Sequence, residues 1–178
     1  DDGHVSIYEN TRALPRAYTL PLAAAERVAS FDNAVQTRDP RRLAVFEGGG
    51  APTTGTPSEA GPATITSYRN NEVWIDVPAG EGRWLILTDS AFAGWRAMVR
   101  STDAGDNTFA DLDIQRVNGN FRAVKLEASA TPLTIRFRYA PDSLRIGAFA
   151  SFIGLVSLLA LATLYLWRAR GTPDDTHA

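Results

Sequence analysis

The chain has 178 residues, with 18 Lys plus Arg against 20 Asp plus Glu, a formal charge of −2 and no cysteine. That balance supplies no basic field for a phosphodiester backbone, so no nucleic-acid partner is expected. The lack of cysteine excludes a disulfide framework, a thiolate zinc site and a cysteine nucleophile. His4 and His177 stand near opposite ends of the chain, which leaves no histidine cluster for a metal or a Ser-His-Asp relay, and neither a metal nor a cofactor is expected.

In chain order, residues 5–9 and 17–20 read as short strands on either side of Leu14-Pro15-Arg16, where the proline fixes one backbone angle and biases its predecessor toward extended geometry. The alanine-rich segment PLAAAERVASFDNAVQ from Pro21 follows, with Val28, Phe31 and Val35 at spacings of three and four. It predicts a helix of three or four turns that ends near Asp39-Pro40. Residues 43–46 read as a strand. Residues 48–63 (GGGAPTTGTPSEAGPA) read as a flexible surface loop, because Gly, Pro, Ser and Thr cannot build a core.

The period then changes to two. Ile65 and Ser67, and then Val73, Ile75 and Val77, mark two strands joined by a turn at Asn70-Asn71. Further strands are predicted at 83–88, 95–99, 112–117, 121–127 and 133–139, with an exposed polar loop over 101–111. The last strand places Leu133, Ile135, Phe137 and Tyr139 on one face and Thr134, Arg136 and Arg138 on the other. Many short strands with turns between them predict a mainly β (α+β) domain, a β-sandwich carrying one helix in its N-terminal half.

Residues 146–167 (IGAFASFIGLVSLLALATLYLW) are uncharged and apolar. At a helical rise of about 1.5 Å per residue they extend roughly 33 Å, enough for a hydrocarbon core of about 30 Å. The predicted organisation is a sandwich over 1–143, a transmembrane helix over 144–168 and a short polar, disordered cytoplasmic tail over 169–178. Only a few residues separate the last strand from the helix, which holds the sandwich at the bilayer surface. Arg168 and Arg170 fit a cytoplasmic end and place the sandwich outside the cytoplasm, while Arg145 works against that asymmetry. The chain starts at Asp1 with no charged and apolar leader before the sandwich, so it reads as the C-terminal part of a longer polytopic protein.

Several segments together carry a family resemblance: IYENTRALPRAY (7–18), FDNAVQTRDPRRLAVFEG (31–48), ITSYRNNEVWIDV (65–77), WLILTDSAFAGWRAMV (84–99), VNGNFRAVKL (117–126) and IRFRYAPDSLRIG (135–147). In this order they resemble the C-terminal end of bacterial membrane proteins of the YfhO family, which are similar to GT-C glycosyltransferases. The segment RSTDAGDNTFADLD departs from the short Asp-Gly turn usual there. The resemblance implies a parent that transfers a sugar from a polyprenyl-phosphate carrier to a cell-envelope glycopolymer in the bacterial cytoplasmic membrane. Its catalytic acid would lie in an early loop that this chain does not contain, so no catalytic residue is assigned. The alternative is a membrane-tethered carbohydrate-binding or assembly module with no enzymatic activity.

Four residues are candidates for contact with a glycan or a lipid phosphate. Trp95, near Phe92, offers a stacking face for a sugar or a ring for the sandwich core, and Asp89, Arg96 and Arg122 form either a polar recognition patch beside it or an ion-paired surface. The acids Asp103, Asp106, Asp111 and Asp113 lack the spacing of an EF-hand. In the apolar helix, Gly147, Ala150, Ser151, Gly154 and Ser157 make a small-residue stripe suited to packing against upstream transmembrane helices of the parent, with the lipid bilayer as the other partner.

Overall fold

The computed structural model describes residues 10, 13–31, 34–102 and 108–170. The chain divides into two compact units, residues 1–139 and 140–178. The first is a two-sheet β structure and the second is dominated by one helix, so the mainly β architecture read from the sequence holds.

Eleven strands among the described residues build the sheets. One sheet contains β1 (Ala17–Pro21), β2 (Ala25–Val28), β3 (Ala44–Glu47), β6 (Arg83–Ser90), β9 (Ile114–Val117) and β10 (Phe121–Leu126), in the order β1-β6-β10-β9-β3-β2. The other contains β4 (Thr64–Arg69), β5 (Glu72–Val77), β7 (Trp95–Ser101), β8 (Ala110–Leu112) and β11 (Leu133–Tyr139), in the order β4-β5-β11-β7-β8. Alternation explains the layering. Leu85 and Leu87 of β6 and Val124 and Leu126 of β10 face Val73, Ile75, Val77, Ile135 and Phe137 of the second sheet across a fully buried core. The intervening residues Trp84, Ile86 and Ala123 join Tyr18, Leu20, Ala44 and Phe46 in a second cluster on the other side of the first sheet. Tyr18 donates a 2.7 Å hydrogen bond to the Pro40 carbonyl, and burial raises its phenol pKa well above the ordinary value.

Two segments differ from the sequence reading. The helix predicted from Pro21 is replaced by the end of β1, a 3-10 turn at Leu22–Ala24, strand β2 and a single helical turn α1 (Ala34–Thr37). The alanines favour a helix locally, but residues 25–28 gain a parallel ladder with β3, and Glu26 receives a bidentate ion pair from Arg38 (2.9 and 3.1 Å). Sheet pairing therefore overrides local propensity. The strand predicted over 112–117 is broken at Asp113: Leu112 ends β8 in one sheet and Ile114 begins β9 in the other. The exposed loop predicted over 101–111 accordingly ends inside β8.

Residues 48–63 do form a surface loop, yet backbone hydrogen bonds pin it along the first sheet, from Arg27 to Thr53 (3.1 Å), Thr56 to Ala23 (2.9 Å) and Thr19 to Gly61 (3.0 Å). Gly55 allows this close approach, since a Cβ there would lie 2.7 Å from the Ala25 backbone. The hairpin at Asn70-Asn71 and the alternation of β11 are as predicted. The predicted strand over 5–9 and the polar tail over 171–178 lie outside the described residues.

The second unit contains α2 (Asp142–Arg170). Its residues 142–168 form a helix long and apolar enough to cross a membrane, and none of its most apolar window is buried inside the protein. Gly147, Ser151 and Gly154 are exposed on it, with open space around both glycines.

Candidate functional site

Three of the four predicted contact residues meet at one end of the sandwich. Arg122 follows the alternation of β10 and so points inward with Val124 and Leu126, which leaves it only 2% exposed. A bulge accompanies it: Phe121 pairs with Ser90 and Arg122 with Leu87, so Thr88 and Asp89 have no partner on β10. Arg122 Nη2 donates to Asp89 Oδ2 at 3.0 Å, and the guanidinium stacks on Trp95 at 3.9 Å from the ring centre, with Phe137 at 5.7 Å. Burial lowers the pKa of Arg122, while the Asp89 carboxylate and then Tyr68 act in the opposite direction.

Asp89 is the hub of this cluster. It also accepts a 2.9 Å hydrogen bond from the Tyr68 hydroxyl and lies 3.8 Å from Arg16 Nη2, whose guanidinium covers the Tyr68 ring at 4.4 Å. The Tyr68 phenol is pushed up by desolvation and then by its contact with Asp89. Arg122 Nε and Nη1 and Trp95 Nε1 are buried N–H groups without an acceptor among the described residues. An unpaired buried donor costs about 1–3 kcal/mol, so the cluster retains unused capacity for an acceptor. Trp95 joins Phe92 (6.1 Å) and Tyr139 (5.5 Å) in an aromatic cluster, in which Phe92 is 55% exposed.

Arg96 is separated from this group. It follows Trp95 in β7, so it lies on the outer face of its sheet and is exposed. The register there sets Arg69 opposite Glu72, Glu72 opposite Arg138, and Arg138 opposite Arg96, a row across β4, β5, β11 and β7. Glu72 binds Arg136 through Nε at 2.6 Å and through Nη2, and Arg136 lies 5.0 Å above the Trp74 ring. Hydrogen bonding from Trp74, and then from Arg136, holds the Glu72 carboxyl below its ordinary range. An open cleft of about 750 Å³ borders this row, with Tyr68, Arg69, Asn71, Glu72 and Arg138 among its lining.

A depressed folded-state pKa means that the unfolded chain takes up the Glu72 proton first as pH falls. The stabilisation is present above the unfolded value and is lost as pH drops through the folded one. Glu72→Gln is therefore expected to lower stability near neutral pH and to flatten the acid limb of the stability curve, read as denaturation midpoint against pH in detergent. An unchanged acid limb would remove Glu72 from the acid response.

The sequence reading missed Tyr68 and the row around Glu72, whereas it expected the arginine of the Leu14-Pro15-Arg16 turn to pair with a carboxylate, and Arg16 lies 3.8 Å from Asp89. Tyr68 gave no signal, being far from Asp89 in the chain, and Arg122, read as part of a recognition patch or an ion-paired surface, is instead buried because the alternation of FRAVKL turns it inward. Asp103 and Asp106 lie outside the described residues, and no group of three metal-ligating side chains occurs among the described ones. Comparison with protein-family models, with curated proteins and with solved structures gives no match.

Proposed function

We propose that this chain is the extracytoplasmic β-sandwich and last membrane span of a YfhO-like, GT-C-type glycosyltransferase. In this reading it does not carry the catalytic acid but supports the parent's transfer of a sugar from a polyprenyl-phosphate carrier to a cell-envelope glycopolymer. The observation that carries the proposal is α2 itself, whose apolar surface is unburied by the protein and needs a lipid or helical environment. The ordered resemblance of segments 7–18 through 135–147 supplies the family. Gly147, Ser151 and Gly154 would let upstream helices of the parent approach closely.

A second reading, a tethered carbohydrate-binding or assembly module, is favoured by the exposed Phe92 beside Trp95 and Tyr139. The reading frame upstream of Asp1 separates the two. Many apolar spans with an acid in an early loop are the expected result, and a start codon or lone signal peptide there would overturn the enzyme reading.

Because the chain has no cysteine, a single introduced thiol reports orientation cleanly. An impermeant maleimide added to intact spheroplasts is expected to label Thr54→Cys and to leave Ala169→Cys unlabelled. The reverse pattern would overturn the outward placement of the sandwich.

A further inference from the structure

From the geometry we infer that Asn118-Gly119 is a spontaneous deamidation site that the closed fold silences. Opening of the seam between β3 and β9 is thereby recorded as a permanent covalent change. The product is isoaspartate or aspartate at position 118, with water as the co-reactant.

The turn itself demands this dipeptide. Residues 118–120 link β9 to β10 beyond the pair formed by Val117 and Phe121, with Asn118 at φ 49° and Gly119 at φ 88°. Both angles lie in the left-handed region, which asparagine tolerates better than most residues and glycine occupies freely. Asn-Gly is the sequence that such a hairpin turn favours, and this is the only Asn-Gly pair in the chain. The same pair is chemically labile, because glycine has no Cβ to hold its backbone nitrogen away from the preceding side-chain amide.

The reaction needs no catalyst. Gly119 N attacks Asn118 Cγ, the new N–Cγ bond forms, and the Cγ–Nδ2 bond breaks. The side-chain nitrogen leaves as ammonia, taking the proton from the Gly119 amide. Water then opens the cyclic imide. Cleavage of the N–Cγ bond gives aspartate, whereas cleavage of the bond to the carbonyl carbon of residue 118 leaves the main chain running through Cγ, as isoaspartate.

In the closed fold that attack is blocked. Asn118 is 7% exposed, its Oδ1 accepts the Val45 N–H at 2.8 Å, and its own N–H donates to the Val45 carbonyl at 2.8 Å. Turning Cγ toward the Gly119 nitrogen takes Oδ1 off Val45 and leaves a buried N–H without its acceptor. This clamp also holds the sheet together. Among the described residues β3 pairs with β9 only through Phe46 and Val117, so Asn118 supplies a second rung joining β2 and β3 to the other four strands. Isoaspartate lengthens the turn by a methylene and displaces the carboxylate from Val45, so that rung does not re-form. The reaction rate accordingly follows the fraction of chains in which the seam is open.

The test holds the full chain in nonionic detergent at mildly alkaline pH, without guanidinium chloride and across a series of its concentrations. Trypsin cuts after Arg116 and Arg122, so residues 117–122 (VNGNFR) leave as one peptide, whose fragment masses place an amide-to-acid change at Asn118. The free peptide in the same solutions corrects for any effect of denaturant on the chemistry. Deamidation at Asn118 is expected to be at least about tenfold slower in the folded chain than in the unfolded one. Equal rates would overturn the inference.

The corrected rate is expected to rise at guanidinium concentrations below the global transition seen by tryptophan fluorescence. A rate that rises only with that transition would overturn the seam as the opening unit. Phe46→Leu trims the ring that packs on Trp84 at 4.5 Å and is expected to raise the folded-state rate several-fold, with the unfolded rate unchanged. Pulse proteolysis of a partly modified sample compares both species at once. Chains with isoaspartate at 118 are expected to unfold at a lower guanidinium concentration than unmodified ones, and an equal midpoint would overturn the clamp.

Discussion

Replacing Asp89 with alanine is expected to cost about 3–5 kcal/mol of sandwich stability, the range for leaving a buried charge without its partner. Arg122 is 2% exposed and, among the described residues, its one hydrogen bond goes to Asp89, since Nε and Nη1 have no acceptor there. Removing the carboxylate also takes the acceptor from the Tyr68 hydroxyl, which donates to the same oxygen, but Tyr68 is exposed and water replaces that acceptor. The opposite truncation is not equivalent. Arg122→Met takes the buried charge away and keeps an apolar chain over Trp95, while Asp89 retains Tyr68 at 2.9 Å and Arg16 at 3.8 Å.

That variant is expected to lose less than about 2 kcal/mol, and the double variant Asp89→Ala, Arg122→Met to be more stable than Asp89→Ala alone. Denaturant midpoints in detergent, followed by tryptophan fluorescence, measure all three. Equal losses from the two single changes would show that the pair does not act as a buried charge and its counter-ion.

The second large effect concerns α2. Leu155 and Leu158 lie near the middle of the 142–168 span and are 55% and 65% exposed. An arginine at the centre of a membrane helix costs about 2.5–3.5 kcal/mol, so the pair Leu155→Arg, Leu158→Arg opposes insertion by roughly 5–7 kcal/mol. The expected result is loss of the full chain from the carbonate-resistant membrane fraction, with the sandwich still folded, as read by its tryptophan signal. A helix that served instead as the core of a soluble protein would give the reverse, with no change in fractionation and loss of the folded signal.

How much was legible in the sequence follows from which interactions are local. Period-two alternation is a local property, so β5, β10 and β11 and the inward faces of Val73, Ile75, Ile135 and Phe137 could be read directly. A long uncharged apolar run is equally local, which made α2 the clearest element. The 25–28 strand was illegible because its stabilisation comes from β3, almost twenty residues on, while its own alanines argue for a helix.

The same distinction governs the site. Asp89, Trp95 and Arg122 were grouped correctly because each sits in a recognisable strand or turn. Arg96 was grouped wrongly with them in space because adjacent residues of a strand face opposite ways, a rule the alternation of WRAMV already contains. Tyr68 and Arg16 reach Asp89 only through tertiary packing.

The sheet orders also constrain biosynthesis. The last two strands to be made, β10 and β11, occupy interior positions in their respective sheets, β10 between β6 and β9 and β11 between β5 and β7. Until residues 121–139 leave the ribosome, those four neighbours carry unsatisfied edges, and neither sheet is continuous. Closure also requires ladders across long stretches of chain, such as Ala17 with Leu87 and Phe46 with Val117, which makes it slow. Folding is therefore held back until synthesis reaches the threshold of α2, and a nascent chain stopped before residue 121 is an unprotected set of strands rather than a smaller version of the domain.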